Sequence, residues 1–62
     1  MTLYEIKQDC ICFILKEDKM YRDNILKKGN IVIYIEDHSP TFVRVFSCFG
    51  VVEVLVERIG KL

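Results

Sequence analysis

The stretch Thr41–Glu57, TFVRVFSCFGVVEVLVE, decides the fold. Thr41 to Cys48 and Val51 to Glu57 are both rich in β-branched and aromatic residues, which suit an extended, half-buried backbone. Phe49-Gly50 between them supplies a tight turn. Side chains on a strand alternate between its faces, so Val43, Val45, Val52, Val54 and Val56 form one set directed at a core. The opposite set is Phe42, Arg44, Phe46, Val51, Glu53, Leu55 and Glu57: apolar and aromatic, with Arg and Glu among them.

Working upstream, Gly29-Asn30 is a turn signal, and Ile31-Val32-Ile33-Tyr34-Ile35 is an unbroken apolar run. Glu36-Asp37-His38-Ser39-Pro40 is a polar turn that ends it. Three strands with short connections make an antiparallel meander. Further upstream, Ile11 to Leu15 (ICFIL) reads as a strand, with Leu3 to Ile6 as a strand leading into it. Lys16 to Lys28 has two readings. Asp18 can cap a short helical turn within 18–28 that stops at Lys27 and Lys28 before Gly29. Alternatively the segment is an irregular loop hairpin that packs Tyr21 and Leu26 under the sheet. The stripe of Met20, Tyr21, Ile25 and Leu26 is poor for a helix, and strands flank it on both sides, which favours the loop.

Ile25-Leu26-Lys27-Lys28-Gly29-Asn30-Ile31-Val32 resembles the L-x-K-K-G-D-x-I segment of SH3 domains, where a diverging turn feeds a strand. The layout that follows is similar as well: strand, polar turn, strand, tight Gly turn, strand, short C-terminal piece. The resemblance implies an all-β fold, a small SH3-like barrel of about five antiparallel strands. It does not extend to proline-rich peptide binding, because the chain has no Trp, and the family's ALYDY-type motif has only a faint echo in Tyr4-Glu5. Fold and function are separate inferences.

The 62 residues correspond to one small domain, with 9 Lys+Arg balanced by 9 Asp+Glu. A zero formal charge argues against a broad electrostatic field for nonspecific nucleic-acid binding. At 52% hydrophobic residues the chain is far from a disordered composition. No apolar run approaches the ~20 residues of a membrane span, and MTLYEIKQDC lacks the basic start and cleavage site of a signal peptide. Three cysteines, an odd number, argue against disulfide stapling and for a reducing, cytoplasmic setting.

Candidate chemistry is sparse. Cys10-x-Cys12 with Cys48 and His38 offers zinc-type ligands, but C-x-C on a strand puts both thiols on one sheet face rather than on a knuckle. Buried small hydrophobes are the simpler reading, so no metal or other cofactor is expected. Asp37-His38-Ser39 are neighbours in a turn and cannot converge as a triad. The paired carboxylates Glu17-Asp18 and Glu36-Asp37 read as solvated tips, and no general acid–base pair is evident. The expectation is therefore no enzyme and no small-molecule substrate.

Phe42, Phe46, Phe49, Val51 and Leu55 exceed what a monomer of this size can bury, so some should face another chain. Phe42, Arg44, Phe46, Val51, Glu53 and Leu55 make up the expected partner-binding face, for another protein or for a second copy in a homo-oligomer. Aromatic residues and Arg are the usual anchors of such faces. The chain would then act as adaptor, subunit or inhibitor, as a phage-type accessory protein does. The alternative is a single-stranded nucleic-acid-binding barrel using Lys27, Lys28, Phe42, Arg44, Phe46 and Arg58. Glu53, beside Arg44, weighs against it by competing with phosphate.

Overall fold

In a computed structural model, which describes residues 1–62, the chain is all-β. Strands β1 (Leu3–Ile6), β2 (Cys10–Lys16), β3 (Lys19–Leu26), β4 (Ile31–Asp37), β5 (Phe42–Ser47) and β6 (Gly50–Leu55) precede a 3-10 turn, Val56–Arg58, and β7 (Ile59–Lys61). They form one antiparallel sheet in the order β3-β2-β6-β5-β4-β1-β7. The two end strands, β3 and β7, do not pair with each other.

The meander expected over the second half is β4-β5-β6. Its turns are held by side-chain oxygens. Ser39 Oγ accepts the backbone N–H groups of Thr41 and Phe42, and Ser47 Oγ accepts that of Phe49 while donating to the carbonyl of Gly50. Gly50 has a φ of +90°, a conformation that a side chain disfavours. Strand β4 serves two neighbours: Ile31 and Ile33 lie opposite Glu5 and Leu3 of β1, whereas the stretch from Ile33 to Asp37 pairs with β5.

Val43, Val45, Val52 and Val54 point inward as the alternation requires, each at most 2% exposed. Ile6, Cys10, Cys12, Leu26 and Val32 complete the core. Val56 does not join them. The strand stops at Leu55, the 3-10 turn rotates Val56 into solvent, and Ile59 packs against the core instead. Glu57 sits in the same turn rather than on a strand.

The helical turn considered within 18–28 is absent. Residues 19–26 form a strand, and the sheet has seven strands where about five were expected. Glu17 and Asp18 both have positive φ, 50° and 65°, and they alone connect Lys16 to its partner Lys19. Such a two-residue loop is the hairpin turn of type I′, whose twist matches that of the strands. Asp18 is thus a turn residue and not a helix cap. The irregular loop is absent as well: residues 19–26 are one strand paired along β2, which buries Leu26 as expected but leaves Tyr21 48% exposed.

One clamp ties three connections together. Asp9, between β1 and β2, accepts the backbone N–H of Lys28 at 2.7 Å, and its other oxygen meets Lys27 Nζ at 3.4 Å. Arg58 in the 3-10 turn donates to the Asp9 carbonyl. The Lys28 amide holds the Asp9 carboxyl below the usual carboxylate range, with Lys27 and Lys28 adding to the effect.

The left-handed conformation at two acidic residues carries a local cost, because only Gly, Asn and Asp adopt it readily. Replacing the pair with Asn-Gly (Glu17→Asn, Asp18→Gly) should raise stability by about 1 kcal/mol, measured as an increased urea midpoint at unchanged slope.

Candidate functional site

The candidate site is the outer face of the sheet, and strand register places its residues. Between β5 and β6, Phe42 lies opposite Leu55, Arg44 opposite Glu53 and Phe46 opposite Val51. All six expected partner-binding residues are therefore brought together in three cross-strand pairs. On the far side of β6, Phe13 of β2 lies opposite Glu53. That is the one paired position of β2 and β6; to either side of it the strands border clefts, one lined by Leu15 and Val51 and the other by Ile11 and Leu55.

Three rows now cross the sheet. The first is Met20, Leu15, Val51, Phe46, Ile33 and Leu3, apolar from β3 to β1, with the first cleft at Leu15 and Val51. The second, in the middle, is Arg22, Phe13, Glu53, Arg44 and Glu36. The third is Ile25, Ile11, Leu55 and Phe42, apolar again. Phe46 and Val51 are about half exposed, at 52% and 51%. Phe42 is half-buried, its ring set edge-on to that of Phe13 with centroids 5.7 Å apart.

Glu53 departs from expectation. It belongs to the outer face, yet only 1% of it is exposed. Neighbours on both sides explain this: Phe13 and the β2–β3 hairpin stand on one flank, and Arg44 on the other. Arg44 Nε donates to Glu53 Oε2 at 2.7 Å, and its Nη1 donates to Glu36. The two carboxylates, Glu53 first, hold the Arg44 guanidinium in its charged form and push its pKa up. The second oxygen of Glu53, Oε1, is buried without a hydrogen-bond partner, and His38 Nδ1 stands 3.9 Å away.

The basic residues of the nucleic-acid alternative are divided between two places. Arg44 lies between Glu53 and Glu36 on the outer face, beside Phe42 and Phe46. Lys27 and Arg58 converge instead on Asp9, whose carboxylate also takes the Lys28 amide. Local pattern missed the contribution of β2 and β3 to the face, namely Ile11, Phe13, Leu15 and Met20. The alternation within ICFIL marks Ile11, Phe13 and Leu15 as one side of a strand, but nothing local says that this strand docks beside β6.

Two of the three cysteines behave as the small core residues expected, and Cys48 does not. Cys10 and Cys12 share one face and are buried, and burial pushes both thiols above the ordinary range. Cys12 Sγ donates to the Asn24 carbonyl at 3.2 Å. Cys48 is exposed. No three His, Cys, Asp or Glu side chains are grouped to hold a metal ion. No helix is long and apolar enough to cross a membrane.

Two outcomes follow from this arrangement. Arg44→Leu strands the buried Glu53 carboxylate and should cost about 3 kcal/mol, the lower end for a broken buried pair because Arg44 is partly solvated. Adding Glu53→Leu should recover most of that loss, so a double-mutant cycle by urea unfolding reads a large coupling between the two positions. In thiol titration with an aromatic disulfide, Cys48 should react rapidly in the folded protein, with Cys10 and Cys12 reacting only on unfolding. Compared with known protein families, curated proteins and solved structures, the chain matches none.

Proposed function

We propose that this chain is a non-enzymatic protein-binding module built on a small SH3-like barrel. It acts by docking the outer face centred on Phe42, Arg44, Phe46, Val51, Glu53 and Leu55. The observation that carries this reading is the pair of apolar rows flanking a charged row. Apolar and aromatic side chains flanking an Arg-containing row have the make-up of an interface rather than of a solvated sheet. The barrel assignment draws support from Ile25–Val32 leading into β4, the following meander, and the short last strand β7 that returns to β1.

The same face bears on the single-stranded nucleic-acid alternative. Binding a phosphate backbone needs cations that are free to release counterions. Arg44 is held by two carboxylates and Lys27 by one. Phe42, which would stack on a base, is packed on Phe13. The balance of these contacts favours a protein partner, in a reducing compartment such as the cytoplasm where three free thiols persist.

The deciding experiment is Phe46→Asp. Phe46 is half exposed, so the variant should keep a β-rich circular dichroism spectrum and a cooperative melt. It should lose association with any protein the wild type binds, measured by titration of the purified pair. Wild-type binding that falls steeply with added salt and is competed by single-stranded nucleic acid would instead favour the nucleic-acid reading, and binding unaffected by Phe46→Asp would place the site elsewhere.

A further inference from the structure

The outer face carries a projection and a recess on opposite sides of one residue. Phe46, on β5, is 52% exposed. The recess is a cleft of about 380 Å³ between β2 and β6, lined by Ile14, Leu15, Arg44, Val51 and Glu53. Val51 stands between them, with Phe46 directly opposite on β5 and Leu15 on the β2 side. Neighbouring strands are ~4.8 Å apart, so projection and recess lie ~10 Å from one another with Val51 midway.

We propose that the partner of this face is a second copy of the chain, related by a two-fold axis that runs along β6 through Val51. Each Phe46 then enters the cleft of the other copy. The proposal rests on the reading that this face binds protein and names the protein.

Charge selects the axis. A two-fold along β6 exchanges the strands on its two sides, laying β5 of one copy over β2 of the other and β4 over β3. Phe46 then meets the partner's Leu15, and Ile33 meets the partner's Met20. In the middle row Arg44 meets the ring of the partner's Phe13, a favourable seat for a guanidinium. Glu36 meets the partner's Arg22. Glu36 is 56% exposed at its side chain, and Arg22 is an exposed cation with no carboxylate partner in its own chain. Either axis sets Glu53 of β6 over its own copy, where burial and the Arg44 pair shield its charge; an axis across the strands would in addition set Arg44 on Arg44 and the exposed Glu36 on Glu36, like charge on like. With a formal net charge of zero, two copies also approach without long-range repulsion. A standard interface covers ~800 Å² per partner, about a fifth of this chain's 4190 Å² surface, which one face can provide.

The test is sedimentation equilibrium of the full chain from about 1 to 500 μM, with circular dichroism on every variant. A species of twice the 7.3 kDa chain mass is expected to build up with concentration. Phe46→Ala and the cleft-filling Leu15→Trp should each leave a monomer with an unchanged spectrum. Arg22→Glu should weaken the dimer about tenfold, acting at two symmetric contacts. Arg22→Lys, which keeps the charge, should retain it. A monomer throughout the range overturns the second copy as occupant. The Phe46→Asp titration against other proteins would still decide separately whether the face binds at all. A dimer indifferent to Phe46→Ala and to Arg22→Glu overturns the proposed axis.

Discussion

The ion pair between Arg44 and Glu53 governs the arrangement of everything around it. Strand β6 is buried on both sides, Val52 and Val54 under the sheet and Glu53 above it. A carboxylate in that position has given up most of its water and depends on the guanidinium 2.7 Å away. An apolar pair of similar size would hold the two strands at least as firmly, so strength is not the main effect of the charges. Their effect is on register. Sliding β5 against β6 by one residue would turn Arg44 into the valine core, expose Val43 and Val45, and leave the buried Glu53 without its partner. The pairing Val43↔Val54, Val45↔Val52 and Phe46↔Val51 is thereby fixed. Glu36, which also binds Arg44, extends the same constraint to β4 across its bulge at Tyr34–Glu36.

The core beneath that row consists of medium and small side chains, seven of them valines or cysteines from β2 and the meander, with no aromatic ring among its buried members. A chain of this length hides a limited share of its surface, and its net stability is the small difference of large terms. Polar clamps at the connections therefore matter in proportion. Asp9 ties the β1–β2 connection to the turn before β4 and to the 3-10 turn, and Ser39 and Ser47 satisfy amides at the two ends of the meander. These contacts restrain the loops that the small core cannot reach.

How much of this was legible follows the distance along the chain over which each feature is determined. The meander is local: alternating valines, a Gly turn and a polar Pro turn are all present within Ile31–Leu55, and strands, faces and turns appear where the pattern put them. Leu26 to Asn30 likewise marks the entry to β4. Strand β3 was not legible because KMYRDNIL lies at the edge of the sheet, where most side chains meet water and alternation carries little signal. Its pattern is also broken by a bulge, with Asp23 and Asn24 together facing Cys12. Strand β7 is three residues long and has no pattern at all. The burial of Glu53 was hidden for another reason. It depends on Phe13 arriving beside β6 from 40 positions earlier, a pairing no local rule specifies.

That bulge in β3 also shapes how the molecule behaves in a crowd. An open sheet ends in strands whose outward N–H and C=O groups invite another strand to add on, the first step toward fibres. Here the longer free margin is β3, and it is interrupted where the bulge doubles Asp23 and Asn24 against one residue, within a segment that also carries Lys19 and Arg22. An incoming strand would find neither an even ladder of hydrogen bonds nor a neutral margin to lie along. The opposite margin, β7, offers only three residues. Neither margin therefore offers a long, even template, and the sheet is protected from growing sideways into a fibre.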